Sequence, residues 1–243
     1  MDTHTKLLDQ AVIALAIIIG IGSILLLMLG GSFTYTHFGW SERDILLWDA
    51  FLSLLFFLQH SGMVRRSFKE RLARFIPPLY HGAIYAIGSG IALAIVAVFW
   101  QRTETFFWSL EGALHVGSVI CTILAFALFG WGVFALHSFD ILGVGPIRAR
   151  LRGTPHQPGP FVVRGPYRWV RHPLYSAILV LFWVNPAMTS DRLLFNVLWT
   201  AWIVLGTVLE ERDLVREFGD VYRRYKRKVP MLVPWRRPAA EIS

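Results

Sequence analysis

Residues 174–209 read LYSAILVLFWVNPAMTSDRLLFNVLWTAWIVLGTVL. The run is apolar almost throughout, but it is too long for one membrane crossing, which takes about 20 apolar residues. Asn185, Pro186, Thr189, Ser190 and Asp191 interrupt it, so it reads as two helices in a tight hairpin. Four more apolar runs precede it, at roughly 7–29, 45–63, 79–100 and 112–136. Together they predict an all-α, polytopic membrane protein of about six transmembrane helices. The composition agrees, with 55% hydrophobic and 16% charged residues, against about 45–50% and 25% in soluble domains. The chain reads as one integral-membrane domain, 1–243, with a four-helix part (1–137) followed by a loop, the hairpin and a tail (138–243).

The charges orient this arrangement. With six crossings, Lys6, the cluster from Arg65 to Arg74, the loop arginines from Arg148 to Arg171 and the tail from Arg212 to Arg237 share one side. Only Arg43, Arg102 and Arg192, of 24 basic residues, fall on the other. Basic loops stay in the cytosol, so both termini are expected there, in a bacterial inner membrane. The net charge of +8 is then topological bias plus attraction to anionic headgroups rather than a sign of nucleic-acid binding. Cys121 is the only cysteine, which excludes an internal disulfide and a cysteine metal cluster. The first apolar run exceeds a signal-peptide core and lacks a good cleavage site, so it reads as a retained anchor.

Nearly every polar group able to do chemistry falls on the basic side. Gly165, Tyr167, Arg168, Arg171, His172, Pro173 and Tyr175 lie just before the fifth helix. Gly165-Pro166 turns the chain and Pro173 suits a first helical turn. Arg171 and His172 would therefore flank a helix N-terminus, a natural anion site. The bland alternative is a snorkelling arginine beside an interfacial tyrosine. Glu210 and Glu211 stand at the exit of the last helix, either to bind a ligand ammonium or ribose or as a solvated face paired with Arg212 and Arg216. Gln59, His60 and Ser61 end the second helix, where polar groups are costly and suggest function. His137 and Asp140 end the fourth. After Gly219, a short amphipathic stretch from Val221 to Lys228 carries Tyr222 and Tyr225 and would suit the membrane surface. There is no dinucleotide or phosphate-loop glycine motif, no HExxH zinc motif and no alternating strand–helix pattern.

In order, Arg171-His-Pro-Leu-Tyr175, the hairpin, Glu210-Glu211, Phe218-Gly219, Tyr222, Tyr225, Val229-Pro230 and Pro234 resemble the isoprenylcysteine carboxyl methyltransferase superfamily, which includes phospholipid methyltransferases. Leu58-Gln-His-Ser61, Met63, Arg65, Phe68-Lys69, Phe139-Asp140 and the run from Leu209 to Leu214 extend the resemblance to its branch of NnrU-like proteins and methanethiol S-methyltransferases. The resemblance implies an S-adenosyl-L-methionine pocket at the cytosolic ends of the last two helices. Gly165, Tyr167, Arg168, His172, Pro173, Tyr175, Glu210, Tyr222 and Tyr225 would bind the cofactor. Arg171, Glu211 and His60 would act in catalysis, with Gln59, Arg65 and Asp140 toward the substrate, and no metal is needed. In one departure, Leu79-Tyr80-His81-Gly82 replaces a polar Arg-Ser-Thr stretch usual in the branch.

The expected activity is methyl transfer to a small or lipophilic thiol, an in-line displacement in which positioning supplies much of the rate. A cationic field from Arg171 and Arg65 would lower the thiol pKa, and His60 would take the proton. Carboxyl O-methylation, phospholipid N-methylation, an NADPH-dependent reductase and a non-enzymatic NnrU-like membrane factor are the competing readings.

Overall fold

A computed structural model describes residues 2–30, 36–136, 140, 142–157 and 161–240; His137 and Phe139 lie outside them. The described chain is mostly helical: α1 (Thr3–Gly30), α2 (Glu42–Val64), α3 (Arg66–Leu72), α4 (His81–Phe99), α5 (Gly112–Ala135), α6 (Gly145–Arg152), α7 (Pro173–Trp183), α8 (Ser190–Phe218) and α9 (Asp220–Lys228). Five helical segments are long and apolar enough to cross a membrane: 3–27, 42–64, 78–99, 112–135 and 190–218. The apolar runs thus became helices close to their expected bounds.

Contacts divide the chain into two units, Met1–Thr103 with Asp140–Pro158, and Glu104–Phe139 with Gly159–Ser243. This division interleaves in sequence and does not coincide with a boundary at 137/138.

In the first unit α4 packs against both α1 and α2. Small residues bring backbones together: a Cβ on Gly90 would sit 2.8 Å from the Ile19 carbonyl oxygen, and one on Gly82 would sit 2.6 Å from Gly143 Cα. Such close approaches bind helices where lipid offers no hydrophobic contrast. Around Ala16, Ala83, Ala86, Val144 and Ile147 lies a small core. Beside it is a charged lock. Asp9, fully buried, receives the Tyr80 hydroxyl at 2.8 Å and Arg150 Nε at 2.9 Å. Tyr80 and Gly82 are therefore structural, which accounts for the departure at 79–82. The opposite end is closed by Gln101, whose amide donates to Asp49 at 3.0 Å and whose side-chain oxygen accepts from the Phe38 amide at 3.1 Å. Phe38, Trp40 and Trp48 cluster there, as aromatics do at membrane borders.

In the second unit the structure corrects the hairpin. Its first arm, α7, has only 11 residues, a rise of about 16 Å, or roughly half the hydrocarbon core. Asn185 Oδ1 accepts from the Ala187 amide at 3.0 Å, a side-chain turn that leads into β2 (Ala187–Thr189). This strand pairs antiparallel with β1 (Phe106–Ser109), a small two-stranded ribbon added to the otherwise helical arrangement. The ribbon ties the start of α8 to the approach to α5. At the other end of α5, a Cβ on Gly132 would meet Leu174 at 2.7 Å, and Arg164 Nε donates to the Ala135 carbonyl at 2.7 Å, a cation on a helix C-terminus. Residues 173–189 thus run the length of α5 despite the short helix. Gly219, at φ +58°, ends α8. The stretch expected to be amphipathic forms α9, and its Tyr222 and Tyr225 face a core with Phe161 and Val163.

The glycine contact gives a direct test. Gly82→Ala should lower unfolding stability by about 1–3 kcal/mol through overpacking, read as a fall in thermal midpoint in detergent. Gly62→Ala, whose added Cβ meets nothing within 4 Å, should leave the midpoint near the parent value.

Candidate functional site

The densest polar arrangement in the second unit is built around Glu211, which is 1% exposed. One carboxylate oxygen accepts from Arg171 Nε at 2.5 Å and His172 Nε2 at 3.3 Å. The other meets Lys226 Nζ at 2.7 Å. The turn before α7, the exit of α8 and the tail helix α9 therefore converge on one buried carboxylate. Arg171 also donates through Nη1 to the Lys226 carbonyl at 3.0 Å and to that of Val229.

The tail is stitched on by backbone as well. The amides of Arg171 and His172 donate to the carbonyls of Pro230 (2.9 Å) and Met231 (3.1 Å), and Ser176 Oγ donates to Leu232 O at 2.7 Å. These amides, which the sequence reading offered to an anionic ligand, are occupied by the chain itself. Arg168 and Ala239 exchange a further pair of contacts. Gly165 adopts φ +55° because Ala135 and Trp131 crowd its Cα, each 3.1 Å from any added Cβ.

Glu210, one residue along, points to a different face. Its side chain is 44% exposed and accepts the Tyr175 hydroxyl at 3.0 Å. The His172 ring stacks on Tyr175 at 5.6 Å, and its Nδ1 lies 3.9 Å from Glu210. This leaves a water-accessible carboxylate beside two aromatic rings. Beneath it, Tyr225 donates to the Tyr167 carbonyl at 2.6 Å, and burial pushes the phenols of Tyr167, Tyr222 and Tyr225 up. They stay protonated, as donors and packing groups.

The structure thus brings together Arg171, His172, Pro173, Tyr175, Glu210 and Glu211, with Tyr167, Arg168, Tyr222 and Tyr225 adjoining. Lys226 was missed, although its signal was present. It follows Tyr222 by four residues, which places it beside that ring on the aromatic face of α9. In the first unit, His60 meets Tyr85 and Ser89, while Gln59 contacts Met63 at 2.7 Å. Asp140 accepts the amides of Val144 at 3.0 Å and Gly145 at 2.5 Å, so it caps α6. Arg65 is exposed between α2 and α3. Among the described residues no group of three or more His, Cys, Asp or Glu could hold a metal.

A methanethiol S-methyltransferase of Pseudomonas sp. is 40% identical over 199 residues, covering 77% of this chain and 73% of its own. Methanethiol S-methyltransferase 1 of Bradyrhizobium diazoefficiens is 34% identical over 81% of this chain and 70% of its own, and the Mycobacterium tuberculosis protein 34% over 74% and 75%. Nurim from Bos taurus is a more distant relative, 26% identical over 70% of this chain. No protein-family model and no solved structure matches. Helices of this length and relatives of this kind define a membrane-embedded methyltransferase. Within that class, the chain belongs to the methanethiol S-methyltransferase family.

Glu211→Gln should strand the Arg171 guanidinium. Breaking a buried pair in this way costs about 3–5 kcal/mol, and the tail should come loose. Limited proteolysis should then cut within 226–240 at rates that leave the parent protein intact.

Proposed function

We propose that this protein transfers the methyl group of S-adenosyl-L-methionine to a thiol, from a site on the cytosolic side of a bacterial inner membrane. The observation that carries the reading is the division of labour between the paired glutamates: Glu211 is locked by Arg171, Lys226 and the His172 ring, and Glu210 stays open beside Tyr175 and His172. That open set fits a cofactor that is cationic at both its ammonium and its sulfonium. Glu210 would take the ammonium or ribose hydroxyls, and the aromatic faces suit a sulfonium. When bound, the cofactor supplies an electrophilic methyl group.

The chain's own residues do the rest. Arg171 and Glu211 hold the turn and tail rigid, so that Glu210, Tyr175 and His172 keep a fixed geometry. Tyr167, Tyr222 and Tyr225 back the site with buried rings. A membrane setting suits a small or lipophilic acceptor arriving through the bilayer. Topologically, we place both termini in the cytosol with six crossings, the fifth completed by residues 184–189 beyond the short α7. The basic residues of α9 and the tail then face anionic headgroups.

Calorimetric titration should show S-adenosylmethionine binding, and Glu210→Ala should weaken it about tenfold or more, the loss expected of a charged contact. NADPH binding in its place would sink the reading. Thiol, prenylcysteine and phosphatidylethanolamine acceptors, assayed with labelled cofactor, separate the three possible methylations. His60→Ala should lower turnover with little change in cofactor affinity, and unchanged turnover would remove His60 from the mechanism.

A further inference from the structure

In the second unit the tail carries an apolar run, Val229-Pro-Met-Leu-Val-Pro-Trp235, with Lys226, Arg227 and Lys228 before it and Arg236 and Arg237 after it. The run is far too short to cross a bilayer. Its two halves differ in the fold. Val229 and Pro230 are buried, and Met231 and Leu232 are half-buried against the turn before α7. Val233 and Trp235, by contrast, are 67% and 66% exposed. The stretch that carries them is tethered at both ends. Ser176 Oγ holds the Leu232 carbonyl before it, and the paired contacts with Arg168 hold Ala239 after it. Between the tethers, Pro234 and Pro238 restrict the backbone, and the Trp235 amide donates to the Val233 carbonyl at 3.0 Å. The Arg236 guanidinium lies 4.1 Å from the centre of the Trp235 ring, and its Nη1 donates to the Arg227 carbonyl at 2.6 Å. The result is an ordered turn with an apolar tip framed by cations.

The depth of this turn is set by Ser176. That residue lies three positions inside the apolar helix α7, about 4.5 Å along it from Pro173. Its bond to Leu232 brings the tail to the level at which α7 enters the membrane. We propose that residues 233–237 are an interfacial anchor: Val233 and Trp235 enter the headgroup layer of the surrounding bilayer, and Arg227, Arg236 and Arg237 bind the phosphates of anionic lipids. Topological bias alone accounts for the cations but not for an exposed tryptophan and valine held among them. Tryptophan settles at the headgroup level, and basic segments beside a membrane helix attract anionic lipid. Because the turn is already ordered, little conformational freedom is lost when it docks.

Docking has a consequence for the cofactor site, and this part rests on the S-adenosylmethionine reading and deepens it. Pro230 and Met231, just before the anchor, take the amides of Arg171 and His172. Lys226, just before them, takes Glu211. A tip held in the headgroups keeps this strap pressed on the turn that carries His172 and Tyr175. A tip released into water leaves the strap freer to lift, and the open set around Glu210 loses its fixed geometry. Anionic lipid thus acts as an activator, bound at a surface beside the cofactor site rather than in it.

The test uses the full-length protein in nanodiscs of phosphatidylcholine, with and without phosphatidylglycerol. Val233→Cys in a Cys121→Ala background carries an environment-sensitive fluorophore at the tip. With phosphatidylglycerol present, its emission should shift to the blue and be quenched by brominated lipid, and high salt should weaken both effects. Arg236→Gln with Arg237→Gln should reduce the preference for anionic lipid about fivefold per cation, and Trp235→Ser should reduce the quenching. In calorimetry the unlabelled protein should bind S-adenosylmethionine about fivefold or more tightly in the anionic discs, and the double glutamine variant should bind it equally in both. A probe that stays in water in both bilayers overturns the anchor, leaving the tip to a protein partner and cofactor binding untouched. Equal cofactor affinity in both lipids, with the probe immersed, overturns the activation. Cofactor binding in neither lipid, with the probe immersed, sinks the methyl-transfer reading and leaves the anchor standing.

Discussion

A buried carboxylate shared by Arg171, Lys226 and the His172 ring holds the second unit together. Glu211 alone would be intolerable in so dry a place, because its desolvation is repaid only by close, well-aligned partners. Arg171, His172 and Lys226 supply them, the first two from the turn before α7 and the last from α9. The ion cluster therefore acts as a three-way joint between the turn before α7, the exit of α8 and α9. Its oxygens are fully engaged by the chain, which frees the neighbouring Glu210 to face solvent. Two adjacent glutamates on one helix point about 100° apart, and that angle separates the buried carboxylate from the water-accessible one.

The same economy governs the first unit. Asp9, Tyr80 and Arg150 form a second buried charged set that ties α1 and the start of α4 to α6. Gly82 and Gly143 let the backbones meet beside it. Polar locks stand where helices leave the apolar region, and small residues stand where helices cross. Both devices answer one constraint: in lipid, helices gain nothing from hiding apolar surface against each other. The polar trio of His60 on α2 with Tyr85 and Ser89 on α4 is a further tie within the first unit.

Much of this was legible in the residues. Long apolar runs announced four of the five long helices within a few positions, and the Arg171-His172-Pro173 turn and Glu210-Glu211, read as two polar clusters, do converge. Less legible was whatever depends on partners distant in sequence. Asp9 sits in an otherwise apolar run, and nothing local shows that Arg150 will reach it. Tyr85 and Ser89 look like ordinary residues of an apolar helix until His60 is placed opposite. The amides of Arg171 and His172 looked available to a ligand, because the tail that takes them lies some sixty residues downstream. The short α7 escaped notice because apolar composition reports burial and not helical length: Asn185 and Pro186 end the helix early, and an extended segment completes the path.

The interleaving of the two units has a consequence for how this chain can be rearranged. The polypeptide leaves the first unit after Thr103, returns at Asp140 and departs again after Pro158. No single cut releases either unit as one continuous fragment. A chimera that swaps one unit between relatives must therefore exchange two separated stretches together. A library recombined at a single crossover would sever the partnership between α6 and α1, or that between α5 and α7, in most of its members.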